Sequence, residues 1–272
     1  MTRDPVHTVR LASGLALAYR AGGPPPGNAS AGTPLLLLLH AWGESSRSFS
    51  RLMPLLPAGV PALAPDLPGH GVSDKPRAGY ALPEVSGDVV AFLDALDVPS
   101  AVLVGSSSGG YVAQQVAVDH PDRVDGLVLV GAPRSLHGRP PFADDVDALR
   151  DQVDPARVRA SLDWFPRYTD VPEEYIEDRV RDGTAIPAAV WRVTLAGLAD
   201  ARPPTEAGTI RTPALIVRGS RDELIPRQEH SALAAAIPGA RLVEYDDTGH
   251  LVLWERPERV AADIARFLAS PS

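Results

Sequence analysis

Four short runs constrain this chain more than anything else in it. They are "LLLLLH" (Leu35–His40), "AVLVGS" (Ala101–Ser106), "LVLVGA" (Leu127–Ala132) and "ALIVRG" (Ala214–Gly219). Each is apolar at successive positions, so a strand made from it has two faces to bury. Weaker runs of the same kind occur at "LALAYR", "PALAPD" and "RLVEYD". Helix-like segments lie between many of them. In Leu82–Leu96, residues Leu82, Val85, Val89, Phe92, Leu93 and Leu96 fall on one face. Gly109–Val118, Glu229–Ile237 and Glu258–Leu268 also read as helices. Strands alternating with helices predict an α/β fold, with a largely parallel sheet covered on both sides. Val6–Leu11 and Leu15–Arg20, separated by "ASG", predict an opening hairpin. "AGGPPPGNASAGTP" (Ala21–Pro34) reads as a surface loop rather than a domain linker.

The alternation stops between about Arg134 and Pro204 and resumes at Thr212. This stretch is rich in Asp, Arg and Pro and has no buried-strand run, so it predicts a mostly helical insertion. The expected organisation is a core at 1–133 and 205–272, with a helical cap at 134–204. An insertion that leaves and re-enters one sheet can lie over the carboxyl edge, where open α/β sheets bind ligands. The 272 residues, 44% of them hydrophobic, suffice for a sizeable core.

Charge and composition narrow the function. A formal net charge of −8, with both signs interspersed, argues against nucleic acid or anionic membranes as partners. Without cysteine there is no disulfide, thiolate metal site or cysteine nucleophile. "MTRDPVHTVRLASG" holds no apolar run of signal-peptide length, and "PLLLLLHAW" is too short to span a bilayer. A soluble, cytoplasmic protein is expected, as a monomer or homodimer. "FADDVDALRD" lacks the glycine and final glutamate of a calcium loop and reads as a solvated face. No metal-ligand spacing or phosphate loop appears, so no cofactor or metal is expected.

Gly105-Ser106-Ser107-Ser108-Gly109 fits G-x-S-x-G, and the spacing selects Ser107. It follows the run "AVLV" and opens an apolar helix, the strand–turn–helix context in which a serine hydroxyl is lifted clear of the backbone. A Gly/Ser turn without chemistry would read the same way, so other residues must decide. A serine needs a base, usually His, and the base an orienting carboxylate. His250, in "YDDTGHLVLWERPERV", follows a late strand. Asp222, in "ALIVRGSRDELIP", follows the strand before it. Asp246 and Asp247 are alternative acids, closer in sequence to His250. His40, His70, His120 and Asp66 read as structural or surface residues, and His7, His137 and His230 carry no supporting motif.

The chain resembles the α/β-hydrolase superfamily, in particular its esterases and the branch of cofactor-free haloperoxidases and enol-lactonases. The resemblance runs from about Val6 to Leu268 and rests on "LLLLLHAWG", "DLPGHGVSDKP", "GSSSGG", "GSRDELIP" and "TGH". It implies a mostly parallel sheet of about eight strands. It also implies Ser107 as nucleophile, His250 as base, Asp222 as its partner, and an oxyanion hole made by the backbone amides of Trp42 and Ser108. His40-Ala41 stands where the family usually has His-Gly, which implies an altered oxyanion loop. Trp42, Trp164 and Trp191 are candidate substrate-binding residues. The expected function is cleavage of a small, moderately apolar carboxylic ester or lactone. C–C bond hydrolysis and cofactor-free perhydrolysis use the same triad. A ligand receptor or regulatory partner on the same fold is the reading from another class.

Overall fold

A computed structural model describes residues 5–28, 32–138, 140–150 and 153–270. Part of the Ala21–Pro34 loop, residues 29–31, and the first four residues of the N-terminal stretch lie outside these. Eight strands form one sheet: β1 (Val6–Arg10), β2 (Ala16–Gly22), β3 (Leu36–Leu39), β4 (Ala62–Pro65), β5 (Ala101–Ser106), β6 (Val124–Val130), β7 (Ala214–Gly219) and β8 (Arg241–Tyr245). Their order is β1-β2-β4-β3-β5-β6-β7-β8. β2 pairs antiparallel with both neighbours, and every other pairing is parallel. The opening hairpin is as expected, although β2 continues through Ala21 and Gly22, which the sequence assigned to the loop.

The central strands bury both faces because alternate side chains enter different cores. Leu37, Leu39, Leu103, Leu127, Leu129 and Ile216 pack in one cluster with α1 (Leu82–Ala95) and α2 (Ser108–Asp119). Leu36, Leu38, Val104, Val128, Val130 and Val217 pack on the other side. Counting along the chain, α8 (Arg227–Ala236) packs with the first cluster. The short α9 (Val252–Glu255) and α10 (Pro257–Leu268) pack with the second.

Among the described residues between β6 and β7 lie five further α-helices: α3 (Ala143–Asp147), α4 (Pro155–Ser161), α5 (Glu173–Thr184), α6 (Ala188–Ala199) and α7 (Pro204–Ala207). They have a small core of their own around Val146, Val158, Val180, Ile186 and Trp191, joined by Tyr80 from the main body. The acidic stretch "FADDVDALRD" is only half solvated. Asp144, Asp145 and Asp147 face out, while Ala143, Val146 and Leu149 are buried.

Candidate active site

Ser107 sits between β5 and α2 at φ 48° and ψ −120°, a conformation L-residues rarely adopt. Its N–H donates to the Val130 carbonyl at 2.8 Å, which ties the turn to the neighbouring strand. Two glycines make this packing feasible. A Cβ on Gly105 would lie 2.4 Å from the Gly110 backbone, and one on Gly109 would lie 2.2 Å from the Leu39 carbonyl oxygen. The G-x-S-x-G spacing is therefore a steric requirement of laying α2 across β5 and β3.

Asp222 and His250 arrive from the ends of β7 and β8, the last two strands of the sheet, which β6 separates from β5. Ser107 Oγ lies 2.9 Å from His250 Nε2, and His250 Nδ1 lies 2.9 Å from Asp222 Oδ2. The other carboxylate oxygen of Asp222 accepts the N–H groups of Leu224 at 3.0 Å and Ile225 at 2.9 Å. Burial pushes the Asp222 carboxyl up. His250 beside it, the Ile225 amide and His230 outweigh that, so its pKa lies below the usual carboxylate value. The His250 loop is pinned from below: Glu255 accepts the amides of Gly249, Tyr168 and Thr169. Asp246 and Asp247 are exposed, and Asp247 pairs with Arg221 at 2.7 Å rather than with His250.

Two features of the loop after β3 bear on the oxyanion hole expected there. Ala41 is not among the described non-glycine residues at positive φ, so its methyl group adds no strain, and the left-handed position in the loop belongs to Gly43 at φ 79°. The Trp42 N–H, however, is not open to the chamber. It donates to Ser108 Oγ at 2.7 Å. The Trp42 indole N–H donates to Thr194 Oγ1 on α6 at 2.9 Å.

Ser107, Ser108, Trp42 and His250 line a chamber of about 100 Å³ roofed by aromatic rings. Phe142 is stacked between Trp42 and Trp164, with centroids 5.6 and 4.7 Å away. Trp191 stands edge-on to Trp42 at 4.6 Å, and its indole N–H donates to the Gly183 carbonyl. All three tryptophans singled out in the sequence therefore reach the chamber, as does Phe165, while Tyr168 lies elsewhere, under the Arg221 guanidinium. A wider recess of about 390 Å³ adjoins the chamber and shares Phe142, Trp164, Phe165, Leu224 and His250 with it.

Sequence reasoning missed Phe142, which has no motif, and a buried polar group in the wall of the chamber itself, where Glu44, Arg179 and Trp254 line it. There Arg179 donates to Ser48 Oγ and lies 3.0 Å from Asp182, and Trp254 donates to Glu44 at 3.0 Å. It also passed over His230. That ring is fully buried near Asp222, and burial above all lowers its pKa to about 4, against the raising effect of Asp222 and the Pro226 carbonyl. His40, by contrast, is a scaffold residue as expected. Its Nδ1 donates to the Ala41 carbonyl and its Nε2 accepts the Leu67 N–H. His70 stacks edge-on against it, and burial with His40 nearby lowers the His70 pKa to about 3. Among the described residues no cluster of three or more His, Cys, Asp or Glu could hold a metal ion, and no helix is long and apolar enough to cross a membrane.

Known proteins share this architecture. A pimeloyl-[acyl-carrier protein] methyl ester esterase of Aromatoleum aromaticum is 33% identical over 248 residues, 84% of this chain and 95% of the relative. A 2-hydroxymuconate semialdehyde hydrolase of Pseudomonas sp. is 32% identical over 257 residues, 89% of each chain. The crystal structure of the enol-lactonase from Burkholderia xenovorans superposes with a TM-score of 0.80 at 26% identity, covering 98% of this chain and 100% of that one. The family model described as alpha/beta hydrolase fold matches residues 34–257. The chain belongs to the α/β hydrolase fold family.

Proposed function

We propose that this protein is a serine hydrolase that cleaves a small, moderately apolar carboxylic ester or lactone through an acyl-enzyme. The observation that carries the reading is the unbroken chain from Ser107 Oγ to His250 Nε2 and from His250 Nδ1 to Asp222 Oδ2. Ser107 attacks the carbonyl carbon while His250 takes the hydroxyl proton. Asp222 holds the ring with its proton on Nδ1 and stabilises the imidazolium. The Ser108 amide, first in α2, cannot be reached by a carbonyl of its own helix and points at the helix's positive end, so it suits the developing oxyanion. His250 protonates the leaving alcohol, then activates the water that releases the acid. In this reading residues 134–204 act as a cap. The chamber's aromatic lining favours an apolar acyl or aryl group over a charged polymer.

The test is a panel of p-nitrophenyl esters of varied acyl length and several lactones, run on wild type and Ser107→Ala. Folded Ser107→Ala protein that retains the wild-type rate overturns the proposal. The 32% identity to a semialdehyde hydrolase supports a second reading, C–C bond cleavage by the same residues. Turnover of a vinylogous 1,5-diketone in the absence of ester turnover would select it.

A further inference from the structure

The commitment of the Trp42 amide raises a question for any acyl transfer here. If that N–H is donated to Ser108 Oγ, it does not donate to a substrate oxygen at the same time. We propose that the Ser108 hydroxyl is itself a catalytic donor: Trp42 N–H holds Ser108 Oγ, and the Ser108 O–H donates to the oxyanion. This rests on the acyl-enzyme reading above and deepens it.

Three observations carry the proposal. First, Ser108 Oγ takes part in a single described hydrogen bond, as acceptor, so its own proton is not consumed. A hydroxyl can accept and donate together. Second, the Ser108 side chain is buried and lines the same chamber as Ser107 and His250. Third, the hydroxyl is held in place by a fixed donor. Trp42 is anchored through its indole by Thr194 and is stacked on Phe142, and Thr194 Oγ1 in turn donates to the Val190 carbonyl.

Accepting a hydrogen bond polarises an O–H and makes it a stronger donor, and a bond to an anion is shorter and stronger than a neutral one. The amide and hydroxyl of one residue would thus meet the same oxygen. The Trp42 amide would contribute through the hydroxyl, with no bond to break when charge develops. The gain is confined to the charged intermediate, because a neutral ester oxygen draws less on both donors.

The test compares Ser108→Ala, Ser108→Thr and Ser108→Cys with wild type in ester hydrolysis and in phosphonylation by a p-nitrophenyl phosphonate. Ser108→Ala should lower kcat by about 10²-fold with little change in KM, as expected for loss of one oxyanion donor. Ser108→Thr, which keeps the hydroxyl, should restore most of the rate. Ser108→Cys, close in size but a weak donor, should stay slow. Phosphonylation, which also builds negative charge on oxygen, should slow in parallel. Folded Ser108→Ala or Ser108→Cys with wild-type or higher kcat overturns the proposal, because the Trp42 amide then serves the oxyanion directly. A wild-type protein that phosphonates do not label at Ser107 overturns the acyl-enzyme reading as well. Labelling at Ser107 with unimpaired Ser108 variants overturns only the hydroxyl's role.

Discussion

His250 and His40 are both buried, both follow a strand of the same sheet, and both have each ring nitrogen engaged. What they meet is different. His40 spans a backbone carbonyl and a backbone amide, groups that do not titrate near neutral pH. His250 spans a carboxylate and a hydroxyl, and the hydroxyl faces the chamber. A hydrogen-bonded histidine becomes a candidate base when one nitrogen rests on a group that can yield a proton. The other nitrogen must rest on a group that welcomes the resulting charge. The same side chain otherwise becomes a strut.

Substitutions should separate the two rings by what is lost. Ser107→Ala should reduce kcat by about 10⁴-fold or more while leaving the thermal midpoint near wild type, and His250→Ala should reduce kcat as far. Asp222→Asn keeps the shape but deprives Nδ1 of its charged partner and should cost roughly 10²–10⁴-fold in kcat, read in the same ester assay. His40→Ala should act in the opposite sense. It leaves the Ala41 carbonyl and the Leu67 amide buried without partners, so urea unfolding should show a loss of about 2–4 kcal/mol. Active-site titration of the folded fraction should still count the nucleophile. A stable but inactive His40→Ala protein would break the comparison.

The pH dependence of stability sharpens it further. His70 and His230, with pKa values of about 3 and about 4, bind protons more weakly when folded than at the ordinary value of 6.5. His40 is lowered in the same direction. Below pH 6.5 the unfolded chain therefore holds more protons, and stability is lost as pH falls towards 4. Each ring contributes up to about 1.4 kcal/mol per pH unit. Asp222 adds to the loss at lower pH, since its depressed pKa favours folding only while it is ionised. Thermal midpoints measured from pH 8 to pH 4 should fall, and His230→Phe should flatten the slope. The smallest effect expected is at Thr194. Thr194→Val removes the acceptor for the Trp42 indole and should lower kcat by only about threefold, roughly what one neutral hydrogen bond is worth, with Thr194→Ser restoring it.

The residues that sequence made legible share a physical property: each answers to a local constraint. Leu36–Leu39 announces a two-sided strand because nothing else buries four consecutive leucines. Ser107 was found because the turn that exposes it demands glycines two residues away on each side. Asp222 and His250 were legible through chain order and the strands they follow. Phe142 and Arg179 answer to no local rule. Phe142 is placed by the small cluster of helices that Tyr80 joins from outside the segment, and Arg179 by Ser48, more than a hundred residues away in the chain, and by Asp182. The fate of the Trp42 amide was equally hidden, since a hydrogen bond between residues 66 apart leaves no pattern along the chain.

Trp42 has a further consequence for recombination. The segment between β6 and β7 looks like a portable module, contiguous in sequence and with its own small core. Yet the Trp42 indole is bonded to Thr194, stacked on Phe142 and met edge-on by Trp191, and a Cβ on Gly43 would lie 2.5 Å from the Trp191 ring. A chimera spliced only at the ends of that segment would set new helices against the old Trp42. Breeding new specificities onto this scaffold therefore calls for crossover points that carry residues 42–43 together with the helices above them.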